Sequence, residues 1–268
     1  MRRQRADCRD WTDAAARPPD HARVVLPVPP ALDQGTIAAC AVNACANAYR
    51  FCMERGGVSG FRPSRAFVHY NAKVLVMRQA PGGDSGTNMR DVCKAVSRFG
   101  ACREERWPYR ARLMWRKPNP DLYDEARRMP RCQYVAVPQT LCGITSCLAA
   151  GYPVLMGVSV HEGGMEAAEE GGVLHLPSPG IVERDKHAIL VCGYDLTTET
   201  FLAQNSWGPA WGRVGGFFDL PFAYALDAKL CWDLWALKLR RPPEPPPHPH
   251  PPPLHPDPPL PAGDDDVA

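Results

Sequence analysis

Three residues far apart in this chain hold the ingredients of thiol chemistry: a cysteine at a helix start, a histidine at a strand start, and an amide one strand further on. The cysteine is Cys40, inside DQGTIAACAVNACANAYRFC (Asp33 to Cys52). It stands where the turn-forming Asp33-Gln34-Gly35 meets an Ala-rich run of high helix propensity, expected to continue to about Met53. A thiol there feels the positive end of the helix dipole, which favours the thiolate. Cys45 and Cys52 lie two helical turns apart on one face, the spacing of core residues. Cys40 is rotated onto a different face, so one helix does not aim all three sulfurs at one ion. No metal site is assigned.

A thiolate nucleophile needs a proton carrier, and the carrier must be oriented. His187, in RDKHAILVCGYD, begins an apolar strand, a position from which a side chain can face a cleft. The next strand carries AQNSWGPAWG, with Asn205 and Trp207. The amide carbonyl can accept from one imidazole nitrogen and leave the other for sulfur. The indole can cover that bond and exclude water.

These residues need a scaffold. The chain has 268 residues, 45% hydrophobic and 22% charged, ordinary for a globular protein. A formal net charge of +2 argues against a nucleic-acid partner. No apolar run reaches membrane-spanning length and the basic N-terminus lacks an apolar signal core, so neither membrane partner nor secretion is expected. Eleven cysteines without a CxxC pair read as free thiols in a reducing, intracellular setting.

Residues 242–261, PPEPPPHPHPPPLHPDPPLP, cannot make a helix or an inner strand. The expected organisation is an N-terminal extension over 1–21, one domain over 22–240, and a disordered Pro-rich tail over 241–268. Arg240, Pro243 and Pro246 fit a pattern that polyproline-recognising domains bind, a minor expectation beside a simple linker. Helices are expected after Cys40, after a Ser64 cap (Phe67, Tyr70, Val74 and Met77 inward), from Asn88 to a stop at Gly100, and from Leu141 to Ala150. Strands are expected at 153–160, 188–195, 200–207, 216–220 and 233–239. Helices first and antiparallel strands second imply an α+β fold with two subdomains and a cleft between them.

DQG…C, HAILVCGYD and QNSWGPAWGRVGGFF, in this order, resemble the papain-like cysteine peptidases of family C1. The interval from Cys40 to His187 falls within the roughly 130–150 residues such enzymes show. Residues 82–109 and GYPVLMGVSV are similar to a compact subgroup from bacteria, archaea and large DNA viruses. The resemblance spans about residues 22–239 and implies a helical half and a β-sheet or barrel half. It implies a cysteine endopeptidase acting on protein or peptide substrates without a cofactor. Residue by residue, it makes Cys40 the nucleophile, His187 the general base and acid in a thiolate–imidazolium pair, and Asn205 its orienting group. Gln34 and the Cys40 N–H become the oxyanion hole, with Trp207 in support. Asp84, Ser85 and Gly86 match a segment lining the cleft. Asp185 and Ala188 would border the pocket for the second residue before the scissile bond, Asp185 favouring a basic or polar side chain there.

The departures are specific. Ala38 and Ala39 stand where the family usually has Gly-Ser, so an alternative is a catalytically impaired papain fold acting as a binding module. Transglutaminases and cell-wall amidases share the Cys-then-His order but lack NSWGxxWG. Lys186 is expected to lower the pKa of His187 modestly. Few residues precede Asp33, so no long inhibitory propeptide is expected. The location expected is cytosolic, or the host cell or virion for a viral protein. His69 is expected to be a packing or surface residue, and EGGMEAAEEGGVLHLP, between His161 and His175, a mobile loop at the cleft rim.

Overall fold

The computed structural model describes residues 21–82, 86–212 and 215–240. The extension expected over 1–21 (all but its last residue), the tail over 241–268 with Pro243 and Pro246 of the docking pattern, and Asp84 and Ser85 lie outside the described residues. In chain order the elements are β1 (Arg23–Val25), α1 (Cys40–Arg55), α2 (Arg65–Tyr70), a π-helical turn (Asn71–Val76), α3 (Met89–Phe99), α4 (Ala111–Met114), α5 (Pro120–Arg128), β2 (Cys132–Ala136), α6 (Leu141–Ala149), β3 (Val154–His161), α7 (Gly164–Gly171), β4 (Glu183–Asp195), β5 (Thr200–Gln204), β6 (Phe217–Pro221), α8 (Phe222–Leu226) and β7 (Cys231–Leu239). Helices α1–α5 and the π-helical turn lie between β1 and β2, while α6, α7 and α8 alternate with the strands of an antiparallel sheet ordered β2-β7-β3-β4-β5-β6, with β1 also paired to β4.

Helix α1 is the spine of the first half. Its small side chains let neighbours approach closely, and Ala41 through Ala48, Tyr49, Phe51, Cys52 and Met53 are all buried. Phe61, Phe67, Val92, Trp107 and Met114 complete this core. The sheet is buried on both faces, and its strands alternate between two cores. Ala188 and Leu190 of β4 pack toward α1, whereas Ile189 and Val191 pack into a second core with Ile144, Met156, Phe201 and Tyr224. β7 repeats the pattern, with Trp235 and Leu237 on one side and Leu234 and Ala236 on the other. Where β1 crosses β4, a side chain on Gly193 would stand 2.6 Å from the Val24 carbonyl oxygen, so only glycine fits.

Two local expectations are corrected. The helix capped by Ser64 runs regularly only to Tyr70, and a π-helical turn follows. The extra residue in that turn rotates the later side chains, burying Lys73 completely and leaving Val74 and Met77 only half-buried. The lysine head donates to the Gly86 carbonyl at 2.7 Å. The segment expected to be a mobile loop contains α7, held by Met165 and Ala168 in the second core and by a bridge from Val173 to Asp219. No described helix is long and apolar enough to cross a membrane.

Candidate active site

Cys40 is the first residue of α1 and is partly exposed, whereas Cys45 and Cys52 lie in the first core. The Asp33 carboxylate accepts from the Gly35 amide at 2.7 Å, closing a turn, and Gly35 takes a φ of 58°. That turn bends the chain so that the next residues enter α1. The two alanines before Cys40 fit without strain. Ala39 is buried with φ −123°, and Ala38 is absent from the residues of positive φ. The methyl groups therefore do not oppose the backbone that glycine and serine would adopt there.

His187 sits on β4 and is 8% exposed. Its Nε2 lies 2.8 Å from the Asn205 side-chain oxygen, just beyond β5. The same oxygen accepts from the Ser206 N–H at 2.7 Å, which fixes the orientation of the amide. A carbonyl oxygen only accepts, so Nε2 carries hydrogen and Nδ1 is the basic nitrogen. Trp207 covers this bond, its ring centroid 5.2 Å from the imidazole, and is held in turn by Trp211 at 5.4 Å. The Asn205 backbone N–H donates to the Gly216 carbonyl at 2.8 Å, so Gly216 also holds this residue in place.

Gln34 comes to the same place from the other half. Its Nε2 donates to the Ile37 carbonyl at 3.1 Å and its oxygen accepts from the Ser206 hydroxyl at 2.6 Å. One Nε2 hydrogen remains available. A network behind the turn fixes its backbone. Arg65 donates to the Asp33 carbonyl at 2.8 Å and to Asn43 at 2.9 Å, and pairs with Glu104 at 3.2 Å. Tyr109 donates its hydroxyl to the Gln34 carbonyl at 3.0 Å and packs its ring under the Arg65 guanidinium at 4.0 Å. Ser206 was signalled by its place beside Asn205. Arg65, Glu104 and Tyr109 carried no sequence signal, because their partners are distant along the chain.

The electrostatics oppose one expectation. Burial pushes the Cys40 thiol above its ordinary value, while the Ala41 and Ala188 amides pull it down more weakly. Burial also pushes His187 below its ordinary value, against the opposing hydrogen bond from Asn205. Each shift alone favours the neutral form, so a thiolate–imidazolium pair depends on its own Coulomb attraction and these donors. The helix start alone does not create the thiolate. The Lys186 head lies 5.8 Å from the Trp232 ring centroid.

The subsite residues separate. Asp185 lines a cavity of about 400 Å³ with Val160, Glu166, His187 and Trp207. Ala188 packs on the α1 side, and its amide acts on the Cys40 sulfur. Gly86 is exposed and tied to Lys73. His69 is buried, with Nδ1 3.1 Å from the Met114 carbonyl, and is a packing residue. Among the described residues no group of three or more His, Cys, Asp or Glu is arranged to hold a metal ion.

A partly exposed thiol on a helix start, with a histidine on one strand and an amide just past the next, is the arrangement of the class of papain-fold cysteine peptidases. The comparisons agree. The model of the papain family cysteine proteases matches residues 66–224, which include His187 and Asn205 but begin after Cys40. A peptidase C1-like protein of Acanthamoeba polyphaga mimivirus is 31% identical over 229 residues, 81% of this chain and 73% of the viral protein. Xylellain, a cysteine protease from Xylella fastidiosa, superposes with a TM-score of 0.76 at 30% identity, covering 88% of this chain and 94% of xylellain. Procathepsin L 3 of Tenebrio molitor shares the fold at a TM-score of 0.64 and 16% identity, covering 84% of this chain and 71% of its own. The chain belongs to the papain family of cysteine peptidases, and a protein substrate follows from that membership.

Proposed function

We propose that this peptidase hydrolyses peptide bonds through Cys40, His187 and Asn205 and a thioester intermediate. The observation that carries the reading is the buried 2.8 Å bond between His187 and Asn205 beneath Trp207, on the strand whose next amide acts on the Cys40 sulfur. His187 Nδ1 takes the thiol proton as sulfur attacks the carbonyl carbon. The oxyanion is met by the Cys40 N–H and the remaining Gln34 Nε2 hydrogen. The imidazolium gives its proton to the departing amine, leaving the thioester. A water then loses a proton to His187 and attacks, and the proton returns to sulfur as the acid leaves. Asn205 holds the ring in the tautomer that both steps require.

The test is covalent labelling. An epoxysuccinyl inhibitor is expected to alkylate Cys40 under reducing conditions, with the adduct located by peptide mass spectrometry. Cys40→Ala should abolish both labelling and cleavage of a casein substrate. An unlabelled Cys40 in folded protein would instead favour a papain-fold binding module. Crosslinked rather than cleaved products would mark an acyl transferase to amines.

A further inference from the structure

Away from the cleft, a cavity of about 680 Å³ opens between the π-helical turn, α3 and the edge of the sheet. Arg78, Lys94, Arg98 and Arg240 line it together with Leu75 and Tyr134, and among the described residues no carboxylate does. Lys94 is partly neutralised by Asp91 at 3.6 Å. Arg78, Arg98 and Arg240 form no ion pair among the described residues. Like charges gathered around one concavity repel, and an anion bound there relieves that repulsion. Arg78 also holds a φ of 58°, a left-handed backbone that is uncommon for a long side chain.

Two observations select the kind of anion. Leu75 is 38% exposed at the rim, and Tyr134 lines the same cavity, so part of the lining is apolar. Gln133 and Tyr134, consecutive on β2, both line it. Successive strand residues point to opposite faces, so the cavity runs along the edge of β2 rather than over one face. β2 is the terminal strand of the sheet, and its outer edge has no strand partner among the described residues. Such an edge offers backbone donors and acceptors to an extended chain. Guanidinium forks meanwhile match carboxylates in bidentate geometry.

We propose that this cavity binds an extended, acidic peptide segment, beside β2 and under Arg78, Arg98 and Arg240, and so gives the peptidase a second hold on protein substrates away from the cleft. The assignment of the ligand as substrate rests on the peptidase reading; binding itself does not depend on Cys40. The test uses full-length protein and a short fluorescent peptide alternating Asp and Val, read by anisotropy, with an Asn/Val peptide of equal length as control. The acidic peptide should bind and the Asn peptide should not. Arg98→Ala/Arg240→Ala should weaken binding by about tenfold or more while cleavage of a short neutral peptide stays unchanged. On a protein substrate carrying an acidic stretch, the same variant should raise KM and leave kcat alone. Equal affinity for both peptides, or unchanged binding by the variant, would overturn the proposal. So would tighter binding of oligothymidylate lost in that variant, which would make the cavity a polyanion site.

Discussion

At the scale of single residues, two substitutions separate the roles proposed around Cys40. Gln34→Ala removes one oxyanion donor and is expected to lower kcat by about 10²–10³ with little change in KM. Steady-state kinetics on a fluorogenic peptide checks this, and an equal loss in ground-state binding would move Gln34 out of the oxyanion hole. The second concerns His187, whose pKa burial holds below the ordinary 6.5. In the Cys40→Ala background the ring titrates free of the thiol. Adding Trp207→Ala admits water to the bond with Asn205, relieves desolvation of the imidazolium, and should raise the pKa toward 6.5. NMR titration of the imidazole reads the shift directly, and no movement would mean that the indole does not shield the ring. Cys40, His187 and Asn205 could be singled out as candidates because each sits in its own short motif. The balance of their charges was not, since desolvation is set by neighbours from both halves of the fold.

At the scale of elements, the turn bearing Gln34 is held from behind by the Arg65–Glu104 pair that opens α2. Arg65→Ala leaves the largely buried Glu104 without its cation and should cost about 3 kcal/mol of stability. It should also lower kcat by freeing the turn. In Gln34→Ala/Arg65→Ala the two losses in kcat should not add, because both act through one amide. Additive losses would confine Arg65 to a structural role. Arg65→Lys should restore part of the stability and less of kcat, since an ammonium lacks the planar fork. The Ser64 cap of α2 was legible, and Ser64 accepts from the Phe67 amide at 3.0 Å. The π-helical turn after it was not. Tyr123 donates to the Asn71 side-chain oxygen while Asn71 itself donates to the Phe67 carbonyl, a tertiary arrangement that competes with the regular ladder. α7 was hidden for a similar reason: it is short, and its order comes from Met165 and Ala168 in a core built by distant strands.

At the scale of the whole molecule, the core contains many thiols and phenols that burial keeps protonated. Cys102, Cys192 and Tyr123 are pushed up to about 12, and Cys147, Cys231 and Tyr224 are also raised by burial. An unfolded thiol loses its proton near 9.0, before the folded one does. The unfolded state then binds fewer protons, so stability is full below that pH and falls as pH climbs toward about 12. Melting curves under reductant, from neutrality to about pH 10, should show Tm falling only in the alkaline part. A flat Tm there would contradict the burial argument. The longer strands were legible from their β-formers. β1 and β2 were not: three residues carry no periodicity, and the order of both depends on pairing, β1 with Tyr194 and Gly193 and β2 with β7.

β4 divides its side chains between two cores by simple parity: Ala188 and Leu190 on one side, Ile189 and Val191 on the other. His187 is part of that count. One residue gained or lost between Asp185 and Val191, where the pairing with β3 is unbroken, would exchange the two cores along that stretch and turn the histidine from its amide. Relatives of this protein are therefore expected to keep the length of the stretch from Asp185 to Val191 and to differ there by substitution alone.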